Sequence, residues 1–143
     1  MTRIARDQIN AHEWRKVTAL AWAVARARTD GTRAAKAKCL LTFLDELDTK
    51  YGESVDVLAT RAEYVSSARS RVWLLRRAYR LASRLRDRHN LMLIACSLAE
   101  HYAEQNGMGR EARRWLGVLK EHLRRNPDEY GIRWARELEE QLK

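Results

Sequence analysis

The residues of this chain best suited to chemistry are arginines. Between positions 61 and 90 nine of them stand against only Glu63 and Asp87. Trp73 lies among them in the stretch RSRVWLLRRAYRLASRLRDR, residues 69–88. Arginine forks grip carboxylates and phosphates through paired N–H donors, and an indole offers a face for a cation or a base and an apolar anchor for a partner. On a helix, at ~100° per residue, Leu74, Leu75, Ala78, Leu81, Ala82 and Leu85 gather in one arc. Arg69, Arg76, Arg77, Arg80, Arg84 and Arg88 gather in another, with Trp73 at its middle. Like charges at these spacings repel, so the arc is no device for helix stability. The candidate partner-binding residues are Arg69, Trp73, Arg76, Arg77, Arg80 and Arg84. The plainer reading is a solvated face, with Trp73 under a neighbouring hairpin and arginine stems fringing it. As a binding face it would take an acidic segment of another protein. The alternative is a single-stranded nucleic acid tracking the same arginines, although no RNA-recognition signature, zinc finger or basic zipper region accompanies them.

Other candidates for chemistry are weak. HEWRK at 12–16 places Lys16 where a zinc protease has its second histidine. Glu100 and Glu104 share a helical face, but His101 points elsewhere and no second histidine follows at ligand spacing. Cys39 and Cys96 lie in apolar surroundings and are expected as reduced, buried small hydrophobes. DELD at 45–48 reads as a solvated acidic strip or one paired with nearby cations. With neither a glycine-rich phosphate loop nor a nucleophile elbow, the expectation is a protein without enzymatic activity, metal or cofactor.

The elements that must position the arginines are helices. One proline and six glycines in 143 residues, with few β-branched runs, argue for an all-α chain. Breakers at Asp30-Gly31, Gly52 to Ser54, Ser66 to Ser70, His89-Asn90, Asn106 to Gly109 and Asn126-Pro127 leave seven helical segments, about 6–29, 32–51, 54–66, 70–88, 90–106, 109–125 and 128–142. Thr32 and Ser54 are the expected caps of two of them. At the last, Asn126 is expected to cap, with Pro127 in the first helical position and Glu129 completing a capping box. Trp14, Val17, Ala21 and Val24 form one apolar stripe, and Tyr130, Trp134 and Leu138 another. An exposed tryptophan on a terminal helix would favour self-association. The net charge is +9, with 45% hydrophobic and 33% charged residues, and no run approaches the ~18 apolar residues of a membrane span. The opening MTRIARDQINAHEWRK has no apolar signal core, so a cytoplasmic chain is expected.

Turns at 52–54, 89–90 and 126–128 recur about every 37 residues, a period typical of stacked helical hairpins. The best-formed unit, ACSLAEHYAEQNGMGREARRWLGVLKEHLRRNP, resembles a tetratricopeptide repeat. Leu98, Ala99 and Tyr102 fall at the spacing of that family's Leu-Gly-x-x-Tyr; Ala112 and Leu116 match its Ala-x-x-x-Phe, and Pro127 its closing proline. In the unit before it, Tyr64 and Ala78 alone correspond. Ala95 replaces the family's tryptophan, and Ala99 its glycine. The resemblance implies an all-α, tetratricopeptide-like right-handed superhelix: one domain over 1–143, hairpins at about 6–51, 54–88 and 90–125, and a capping helix at 128–142. It also implies an adaptor or regulator that binds another protein. The family's carboxylate clamp is not expected, because residues 54–66 and 90–106 contain no lysine.

Overall fold

A computed structural model describes residues 9–143, which form seven α-helices. They are α1 (Ala11–Ala25), α2 (Asp30–Tyr51), α3 (Val55–Tyr64), α4 (Ala68–Arg84), α5 (Arg88–Ala103), α6 (Gly109–Arg125) and α7 (Glu129–Gln141). The expected all-α class and seven helices are observed. Residues 6–8 of the expected first helix lie outside the described residues.

Two caps differ from expectation. Thr29, not Thr32, caps α2: its hydroxyl accepts from the Thr32 N–H at 3.1 Å, and Asp30 falls in the first turn, where a carboxylate suits the helix dipole. Asp128, not Asn126, caps α7 by accepting from the Gly131 N–H at 2.8 Å. Asn126 instead closes α6, its backbone N–H bonded to the His122 carbonyl at 2.9 Å, and its side-chain oxygen accepts from Arg88 at 3.2 Å. Ser54 caps α3 as expected, accepting from Val57.

The chain divides into two compact units, Met1–Arg71 and Val72–Lys143. In the first, α2 packs against both α1 and α3. Its core joins Val17, Leu40, Leu44, Leu47 and Val57, with Trp14, Tyr51 and Tyr64 packed on the outside. Of the 22 residues of α2 only Leu40, Leu44 and Leu47 are buried.

The second unit is built around α5. Nine of its 16 residues are buried, which is the pattern of a helix covered on several sides. Helices α6 and α7 pack on it and on each other. At their junction Gly131 is buried, and a Cβ there would meet Leu123 Cδ2 and Met92 Sδ at 2.7 Å. Small size, not backbone freedom, is what that position requires.

Candidate binding surface

Helix α4 opens at Ser67, whose hydroxyl accepts from the Ser70 N–H at 3.2 Å. Leu74, Leu75, Ala78, Leu81 and Ala82 are its buried face. Its orientation in the second unit is fixed from one flank. Tyr79 meets the Trp115 ring edge-on at 5.2 Å, and its hydroxyl lies 2.7 Å from His122 Nε2. Both partners belong to α6. Burial, reinforced by the nearby Arg125 charge, holds the His122 pKa below its ordinary value.

The arginines fall into two groups. Those in the first group are spent on structure. Arg61 bridges Asp45 at 2.8 Å and Asp48 at 2.7 Å, which pairs two acids of the DELD strip. Even so, burial leaves the Asp48 carboxyl with a raised pKa. Arg71 donates from Nε to the Ala62 carbonyl at 3.1 Å and from an η nitrogen to that of Val65 at 3.4 Å, satisfying acceptors at the end of α3. Arg76 turns toward α5 and α6, donating to the Tyr102 hydroxyl at 3.2 Å and lying 4.0 Å from the Glu111 carboxylate.

The second group runs along α4 beside Trp73: Arg80 and Arg84 are exposed and Arg77 is half-buried. Trp73 is 55% exposed, and the Arg77 guanidinium lies 5.3 Å from its ring centroid, a cation–π contact. Arg80 and Arg84 are exposed and form no ion pair among the described residues. Trp73, Arg77, Arg80 and Arg84 follow one another at steps of four, three and four, a straight stripe about 16 Å long. Arg69 is also exposed, on the part of α4 that belongs to the first unit. Of the six candidate residues, four therefore line up in the second unit, Arg76 is engaged by Tyr102 and Glu111, and Arg69 lies outside that unit. The engagement of Arg76 has a signal in sequence only once Tyr102 and Glu111 are known to face it.

The remaining candidates resolve into structural roles. Glu13 of HEWRK completes a capping box with Asn10, accepts from Lys50 Nζ at 3.0 Å and is hydrogen-bonded by the Tyr51 hydroxyl, the largest cause of its lowered pKa. His101 is buried, while burial and then the neighbouring Glu104 raise the Glu100 carboxyl. Among the described residues no group of three His, Cys, Asp or Glu is placed to hold a metal ion. Cys96 is buried as expected, its thiol pushed up to about 12 by burial first and Glu100 second, and so is a poor nucleophile. Cys39 is exposed, contrary to expectation, because only Leu40, Leu44 and Leu47 of α2 reach the core. Trp115 is buried, whereas Trp22 is 57% exposed on α1. Among the described residues no helix is long and apolar enough to cross a membrane. Compared with models of known families, with curated proteins and with solved structures, the chain matches none.

Proposed function

We propose that this chain is a non-enzymatic protein-interaction module, an adaptor or regulator inside the cell, whose α4 stripe docks an acidic segment of a partner protein. The observation that carries the reading is the contrast among its arginines. Arg61, Arg71 and Arg76 each have carboxylate, carbonyl or hydroxyl partners, whereas Arg80 and Arg84, which continue the line of Trp73 and Arg77, are exposed and themselves form no ion pair among the described residues. A carboxylate-bearing segment would gain charge-assisted hydrogen bonds from the guanidinium groups while an apolar side chain covers the indole. The helical pairs, with α7 packed on both helices of α5–α6, suit a tetratricopeptide-like arrangement in which α7 is a capping helix.

The test uses the full chain and two fluorescent probes: a peptide of alternating acidic and leucine residues, and a single-stranded oligonucleotide. Anisotropy is followed across salt concentrations. The reading expects peptide binding with a shallow salt dependence, weakened at least about tenfold by Arg80→Glu with Arg84→Glu. Binding of the oligonucleotide alone would instead assign the stripe to phosphates. Three of them, one for each arginine of the stripe, give a log–log salt slope of about −2 on a single strand. Binding of neither probe would make the stripe a solvated face.

A further inference from the structure

The first unit contains a cavity of opposite chemistry. It has a volume of about 430 Å³ and is lined on α1 by residues that include Trp14, Ala21 and Trp22, and on α3 by Thr60, Glu63 and Tyr64. Pockets that take side chains and small ligands are of this size and mostly apolar. The α1 residues share one helical face. Trp14 and Trp22 are eight positions apart, about 12 Å along the helix, and the small Ala21 lies on the stretch between them. An indole face attracts a cation within about 6 Å of its centroid. Trp22 already shows that preference, with the Arg26 guanidinium 5.4 Å from its ring centroid. Arg26 itself does not line the cavity.

Glu63 is the one carboxylate in this lining, and no described cation forms an ion pair with it. Its side chain is reachable from solvent, yet the apolar surroundings desolvate the carboxyl and raise its pKa. A purely apolar occupant would strip more water from that carboxylate and return nothing. An anionic occupant would be repelled. A flexible stem ending in a positive charge answers both walls, its methylenes against Trp14, Trp22 and Tyr64 and its head at Glu63.

We infer that the cavity between α1 and α3 is a binding site for a lysine side chain presented by a basic segment of a partner protein. The chain would then hold two recognition sites of opposite sign, an acceptor of acids on α4 and an acceptor of a cation here. Neither depends on the other, and each can fail alone.

The experiment is a titration of the isotope-labelled full chain, reading the indole N–H resonances of Trp14 and Trp22, assigned with Trp14→Phe and Trp22→Phe. The probe is a capped pentapeptide of lysine flanked by leucine and alanine, compared with the same peptide carrying norleucine in place of lysine. The lysine peptide should shift both indole signals and bind about tenfold more tightly than the norleucine peptide. Glu63→Gln should erase that preference without altering the far-ultraviolet spectrum, since Glu63 is on the surface. Equal binding of the two peptides to the unaltered chain would overturn the inference by showing a merely apolar groove. So would a lysine preference that survives Glu63→Gln, or indole signals that neither peptide moves at millimolar concentration.

Discussion

Two helices of this chain, α5 and α2, each carry ten apolar residues, over 16 and 22 positions, yet differ sharply in burial. In α5, apolar side chains occur on nearly every side, and nine of 16 residues are buried. In α2 the first turns, GTRAAKAK at 31–38, offer alanines and cations, and burial begins only at Leu40. Helical propensity alone supports short helices poorly in water, since most helical stability in proteins comes from packing of an apolar face. Alanine favours the helix, but its side chain is too small to anchor it. The lesson is that a helix can be equally regular in geometry and very unequal in what holds it.

Hydrogen exchange of the native protein should expose this difference most strongly. Local opening spans free energies from near zero up to that of global unfolding. Amides at 94–102 should exchange at least about a thousandfold more slowly, relative to free peptide, than those at 33–38. Similar protection in the two stretches would break the comparison and mean that something covers the start of α2.

A second prediction concerns side-chain size against burial. Leu98 of α5 is 0% exposed, and Leu98→Ala should cost about 2–5 kcal/mol in denaturant unfolding, combining lost transfer energy and a cavity. Trp22→Ala removes a much larger side chain from α1 and should cost under about 1 kcal/mol, because its ring is already mostly in water. A reversed ranking would mean that Trp22 is covered in solution, which would also bear on the cavity beside it.

Much of this architecture was legible in sequence because helices announce themselves locally. Scarce proline, spaced breakers and Ser54 located the elements, and the leucines at 74, 75 and 81 located the buried face of α4. Cap identity was less legible. Thr29 and Thr32, or Asn126 and Asp128, are chemically equivalent candidates until the end of the preceding helix is placed. The arginine arc was legible as a pattern and not as a set of partners. Wheel geometry assigned Arg76 and Arg77 to the same arc, but Tyr102 and Glu111 arrive from 26 and 35 residues away and take one of them. The α1–α3 cavity left the weakest trace. Trp14 reads as part of an apolar stripe with Val17, Ala21 and Val24, a stripe that does not include Trp22, and nothing local says that Glu63 of another helix stands across from the two tryptophans.

The smallest predicted effect is one of pH, and it tests how the second unit holds the flank of α4. His122 is half-buried against Tyr79, and its pKa lies below the ordinary 6.5 because burial, then Arg125, disfavour the imidazolium; Glu121 opposes this weakly. The unfolded chain therefore binds a proton at His122 at a pH where the folded chain does not. Wherever the unfolded state holds more protons, stability rises with pH. This contribution is complete above the ordinary histidine range and is lost as pH falls through about 6.5 toward the lowered value. Carboxylates with shifted pKa titrate too, so the informative quantity is a difference between proteins. His122→Gln keeps a polar partner for the Tyr79 hydroxyl and removes the titration. On moving from about pH 7.5 to 5.5, the unaltered chain should lose more thermal stability than this variant. Equal losses would mean that the imidazole takes its proton in the folded state without penalty, and that the Tyr79–His122 contact is looser than its 2.7 Å separation implies.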